Sequence, residues 1–184
     1  MRQPSIALVL LTLILTQLAG CARQAEARPP EPHQFHDPGI GYNIVINEFN
    51  PTLQLSEAHA LRYSSKIRNG QVVALHVQAS ADTTTAAVGQ ISSSTFFLYC
   101  APLRDSLRPV TTGDFDTDLI AAGYTPWTNP PPGQAVDGWI TYIVPTVRNP
   151  DYCVLKYFRY DPPNPDNPHF QTSFSQSFLL NWTV

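Results

Sequence analysis

The chain has 184 residues, a formal net charge of -3 at neutral pH, 14% charged residues and 18 prolines. A mildly acidic chain whose lysines are Lys66 and Lys156 alone offers no basic patch to a phosphate backbone, which argues against nucleic acid as a partner. Beyond Met1 there is no methionine, so the thioether ligands of an exported copper chaperone are absent.

Reading from the amino terminus, Arg2 is the one charge before an aliphatic run from Ile6 to Leu18. As a helix that run spans about 20 Å, too short for the roughly 30 Å hydrocarbon core, and it has the length of a signal-peptide h-region. Leu18-Ala19-Gly20-Cys21 follows it and resembles the lipobox of bacterial lipoproteins. The resemblance implies a diacylglycerol on the Cys21 thiol, cleavage before Cys21 and acylation of the new amine. Two or more acyl chains anchor a protein stably where one is marginal. An ordinary secretory signal with an incidental cysteine is the alternative. Residues 1–20 are therefore read as a lipoprotein signal peptide. Losing Arg2 with them takes the formal charge from -3 to -4. Ala22 is not the Asp that retains lipoproteins at the inner membrane of enterobacteria, so in a two-membrane cell the outer membrane stays open as an address.

Residues 21–39 read as the lipidated cysteine and a Pro-rich tether, ARQAEARPPEPHQFHDPG after Cys21, with no periodic apolar pattern. A single domain over 40–184 follows. Tyr42 to Phe49 and Leu61 to Ile67 are predicted strands, with Asn50-Pro51 turning the chain between them. From Gln71 to Ser80, Val73, Leu75, Val77 and Ala79 alternate with His76 and Gln78, the period of a half-buried strand. Ser94 to Cys100, Gln134 to Val144 and Tyr152 to Tyr160 continue the series. In the last segment Phe170, Phe174, Phe178, Leu180, Trp182 and Val184 share one face. Asp118 to Gly123 alone reads as helical, with Asp118 as N-cap.

About seven or eight short strands separated by Pro, Gly and Asn turns predict an all-β antiparallel sandwich. With Cys21 lipidated in an exported chain, Cys100 and Cys153 are left as a disulfide pair. That bond closes a loop worth about 4 kcal/mol in the chain-entropy model, and it is expected to staple one sheet to the other. Two buried free thiols or a redox pair are the alternatives.

The stretch Pro132-Gly133-Gln134-Ala135-Val136-Asp137-Gly138-Trp139-Ile140-Thr141-Tyr142-Ile143-Val144-Pro145 resembles the "PGE-x-x-x-G-x-x-x-F-x-x-P" segment of a bacterial extracellular immunoglobulin-like family. Gln71 to Ala79 and Phe96-Phe97-Leu98-Tyr99 are similar to two of that family's strands. Gln134 replaces the usual acidic residue, and Ser80-Ala81-Asp82-Thr83 replaces the family's Asn-Gly or Asn-Thr turn. The family occurs on secreted proteins and lipoproteins, among them a small secreted antigen of mycobacteria. It implies an immunoglobulin-like sandwich and brings no catalytic residues.

Three constellations could carry chemistry. Asp114, Asp116 and Asp118 alternate as in the first half of a calcium loop, although Leu119 and Thr125 occupy the positions where an EF-hand has Gly and Glu. The other reading is a solvated acidic loop. Tyr124 and Trp127, before Pro130-Pro131-Pro132, are candidate aromatic anchors for a partner, or else close the end of the sandwich. No GxSxG elbow occurs, and no catalytic residue is assigned. His33 and His36 fall in the tether and His76 on the polar side of a strand. The expectation is a lipoprotein on the extracytoplasmic face of a cell membrane. It is expected to need no cofactor and to act as a non-catalytic interaction module for an envelope protein or polymer. The alternatives are a small envelope hydrolase using the carboxylates at 114–118, or a calcium-stabilised structural domain. A transporter's solute-binding lipoprotein needs two lobes, and this chain supplies one domain.

Overall fold

The computed structural model describes residues 32–67, 70–82, 89–101, 103, 105–110, 113–145, 153–161 and 172–180. The predicted signal segment, Cys21 and most of the predicted tether lie outside them, as do Phe170, Trp182 and Val184. The strands are β1 (His33–Asp37), β2 (Tyr42–Asn50), β3 (Gln71–Ala81), β4 (Phe96–Cys100), β5 (Val136–Val144), β6 (Cys153–Tyr160) and β7 (Ser173–Leu180). They form a four-stranded sheet in the order β1-β2-β3-β5 and a three-stranded sheet in the order β4-β6-β7, with every pairing antiparallel. The all-β sandwich is thus the fold. Strands β2 to β7 pair as A-B-E and C-F-G of an immunoglobulin sandwich. Among the described residues no strand D intervenes between β4 and β5, and β1 is added beside the A position.

Period-two alternation builds the core. Tyr42, Ile44, Ile46, Val73, Leu75, Val77, Ile140 and Tyr142 face inward from one sheet, and Phe96, Leu98, Leu155, Tyr157 and Leu180 from the other. Near one end, β3 is buried on both faces. Val72 and Ala74 lie under a second cluster with Leu53, Tyr63, Phe115, Leu119 and Trp139. Three short helices, α1 (Glu57–Arg62), α2 (Ser64–Ile67) and α3 (Asp116–Ala121), flank that cluster, to which α3 contributes Leu119 and the residues bordering the helices contribute Tyr63 and Phe115.

Four expectations are corrected. The strand predicted over Leu61 to Ile67 is helical. Tyr63 is buried and Ile67 half-buried four residues on, which is helical spacing, whereas Leu61 points to solvent. The ordered domain begins within the supposed tether. His33, Phe35 and Asp37 alternate inward along β1, which pairs with β2 from His33↔Ile46 to Asp37↔Tyr42. The disulfide does join Cys100 to Cys153, but within one sheet. The two residues are directly opposed on neighbouring strands β4 and β6, with Cα atoms 4.1 Å apart. That is the spacing of a non-hydrogen-bonded antiparallel pair, where side chains come closest. Last, Asp118 is not the cap of α3. The helix starts at Asp116, with Phe115 at its N-cap.

The two sheets are joined instead by a buried ion pair. Asp37 on β1 is fully buried and accepts from Arg159 on β6 through Nε at 2.6 Å and Nη2 at 2.5 Å, from the Tyr157 hydroxyl at 2.8 Å and from the Gly39 N–H at 3.0 Å. Arg159 also donates to Asp161, which accepts from the Thr172 hydroxyl. The hydrogen bond to Asp37 is the main reason the Arg159 pKa rises, and burial drives that of Tyr157 up. Every polar atom of this network has a partner, as burial requires.

Candidate functional site

The helices cover only part of the outer face of the four-stranded sheet. The rest is open. There the outward residues line up across strands: Val45, Gln78 and Asp137 in one row, Asn43 and Ser80 in the next. A groove of about 350 Å³ runs between them, lined by Asn43, Val45, Gln78, Ser80, Val136 and Asp137. Its floor is aliphatic and its rim carries carboxamide, hydroxyl and carboxylate groups.

The rim is held in place. Asp137 accepts from His76 Nε2 at 2.6 Å and from Gln78 Nε2 at 2.8 Å. Partial burial works to raise the Asp137 pKa, but these two bonds outweigh it and hold the carboxyl below the ordinary range. His76 lies flat against Trp139, ring centroids 5.0 Å apart, and Tyr124 stacks on Trp139 at 3.9 Å. The Tyr124 hydroxyl accepts from Asn50. Asn43 is tied to His36 on β1 at 3.1 Å. This preorganisation leaves an ionised carboxylate, 61% exposed, with lone pairs free for an incoming donor.

The carboxylates at 114–118 do not converge. Asp114 lies toward Tyr63, whose pKa burial and then this carboxylate push up, Asp116 accepts from the Gly113 N–H at 3.2 Å, and Asp118 is drawn into the fold. Among the described residues no group of three metal-ligating side chains comes together. Asp118 accepts from the Ser56 N–H at 2.7 Å and from His59 Nδ1 at 2.5 Å, which clips α3 onto the first turn of α1. Burial pushes its pKa up, yet the Ser56 and His59 bonds prevail and hold it below the ordinary range. Ser56 itself caps α1 by accepting from the His59 N–H.

The two aromatic candidates separate. Trp127 is 2% exposed, donates to Asn129 at 2.9 Å and meets Phe96 edge-on, while its backbone bonds to Trp139 along the outer edge of β5, so it is a core residue and no exposed anchor. Tyr124 is half-buried at the border between the helical cover and the open groove. The chain pattern had marked His76 and Gln78 as outward on their strand, but Asp137 was visible only as one letter of a longer motif. Its partners lie at sequence separations of 61 and 59 residues, which no local spacing reveals. No protein-family model matches this chain, and no curated protein or solved structure is detectably similar to it.

Proposed function

We propose that this protein is a lipid-anchored, extracytoplasmic binding module without catalytic activity. Cys21 carries the anchor, the residues after it form the tether, and the open half of the four-stranded sheet meets an envelope protein or polymer. The leader from Ile6 to Cys21 and the partial likeness to an extracellular immunoglobulin-like family support the address. The binding reading rests on one observation: His76 and Gln78 fix the Asp137 carboxylate at the rim of an open groove. Exposed carboxylates need no such positioning for solubility, whereas a recognition site does.

Two experiments test the reading. Metabolic labelling with an alkyne palmitate should tag the wild-type chain and not Cys21→Ala; labelling of both, or of neither, removes the anchor from the proposal. A photo-crosslinker at Ser80 on intact cells should capture a specific partner, and Asp137→Ala should abolish the adduct while the domain still unfolds cooperatively at a slightly lower melting temperature, since its bonds to His76 and Gln78 are lost. An adduct that survives Asp137→Ala would place recognition elsewhere.

A further inference from the structure

Strand β7 is an edge strand, paired to β6 over its whole length from Ser173↔Tyr160 to Leu180↔Cys153 without a register shift. Among the described residues nothing pairs with its other edge. Which backbone groups point there follows from the register. Leu98 on β4 exchanges both hydrogen bonds with Leu107, on the side away from β6, so Leu98↔Leu155 and Cys100↔Cys153 are non-hydrogen-bonded pairs. Cys153, Leu155, Tyr157 and Arg159 therefore turn their N–H and C=O toward β7, where they meet Leu180, Phe178, Gln176 and Phe174. The alternate residues Ser173, Ser175, Ser177 and Leu179 turn theirs outward. All four of these residues are exposed.

Edge strands of this kind are normally blunted by a charge, a proline or a bulge. Ser173-Phe174-Ser175-Gln176-Ser177-Phe178-Leu179-Leu180 has none of the three. Its centre, Phe174-Ser175-Gln176-Ser177-Phe178, instead reads the same in both directions about Gln176. An antiparallel strand laid against its own copy on a two-fold axis at Gln176 would oppose like with like. Gln176 meets the partner's Gln176, Phe174 meets the partner's Phe178, and Ser175 meets the partner's Ser177. The parity agrees. Ser175, with outward backbone groups, falls in a hydrogen-bonded pair, and Gln176 and Phe174 fall in the closer non-hydrogen-bonded pairs. Phe174 and Phe178 are half-buried at this open edge, covered from the opposite sheet by Phe35, with ring centroids 6.4 and 5.3 Å away, and by His33 stacked on Phe178 at 5.0 Å. A copy would cover their open flank, so cross-strand aromatic contact and backbone pairing arise together.

We infer that β7 is a self-recognition edge, through which two copies of this chain join their three-stranded sheets into one continuous sheet with Gln176 on the two-fold axis. A closed, isologous pair of this kind uses one surface twice and leaves no β7 edge for further growth. The inference is independent of the groove on the opposite sheet, so either can fail alone.

The test is a pair of cysteine scans in full-length protein carrying Cys21→Ala, purified in non-ionic detergent. There the introduced thiol is the only one outside the Cys100–Cys153 bond. Gln176→Cys places two thiols across a non-hydrogen-bonded pair, the same geometry in which Cys100 and Cys153 are joined. Ser173→Cys, opposite the partner's Leu179, leaves its two thiols about 20 Å apart along the strands. Under mild oxidation Gln176→Cys should run as a covalent dimer on non-reducing gels and Ser173→Cys as a monomer. A monomer from both, or equal cross-linking of both, overturns the inference. Ser177→Pro keeps the bonds to β6 and removes one outward N–H. In the Gln176→Cys background it should abolish the cross-link, and persistence of the dimer would equally overturn it.

Discussion

Replacing Asp37 with alanine probes the contact that fastens β1 to the opposite sheet. In the folded protein that carboxylate is fully buried and accepts four hydrogen bonds, two of them from Arg159. Its loss leaves the guanidinium of Arg159, a residue 9% exposed in the intact protein, with only Asp161 as a charged partner, and leaves the Tyr157 hydroxyl buried without its acceptor. Breaking a buried pair from one side costs about 3–5 kcal/mol. Because Asp161 remains, the lower end applies, about 3 kcal/mol. For a domain of this size that corresponds to a fall in melting temperature of about 6–12 °C. Urea unfolding followed by tryptophan fluorescence measures it directly, with the m-value unchanged. Asp37→Leu combined with Arg159→Met and Tyr157→Phe should recover most of the loss, since it removes both charges and the stranded hydroxyl from the interior. A loss below about 1 kcal/mol for Asp37→Ala would show that water reaches the pair and would refute the reasoning.

Reducing the Cys100–Cys153 bond, which closes a separation of 53 residues, should cost about 4 kcal/mol, read as a lower urea midpoint in dithiothreitol. Asp118 and Asp161 titrate below their ordinary range in the fold, so the unfolded chain takes up protons first as pH falls. Stability from them is complete above about pH 5 and is lost as pH falls through about 4 and below, and Asp118→Asn should flatten part of that loss in a series of thermal melts. A Cβ on Gly138 would lie 2.8 Å from the Trp127 Cα and 3.0 Å from its backbone nitrogen. Gly138→Ala should therefore destabilise by about 1–3 kcal/mol in urea titrations, because backbone cannot give way as a side chain can. Calcium at millimolar concentration should leave the melting temperature unchanged, since the carboxylates of Asp114, Asp116 and Asp118 point to different partners.

The amino-acid sequence by itself determined the strands whose pattern is local. Val73, Leu75, Val77 and Ala79 could only be an inward face, and Phe174, Phe178 and Leu180 repeat every second or fourth residue as a strand requires. Cysteine counting paired Cys100 with Cys153, but it could not say that they face each other within one sheet, because spacing along the chain carries no sheet assignment. The helices at 57–67 escaped because two short turns hold few periodic positions, and their stability comes from Asp118 and Phe115 far along the chain. His33 to Asp37 read as tether because five polar-rich residues show their alternation only once Arg159 and Tyr157 supply the partners of Asp37. The open groove was likewise decided by tertiary structure alone. His76, Gln78 and Asp137 become one site only when β3 and β5 pair, and strand pairing is a long-range choice that burial of both sheets' inner faces makes for the whole domain at once.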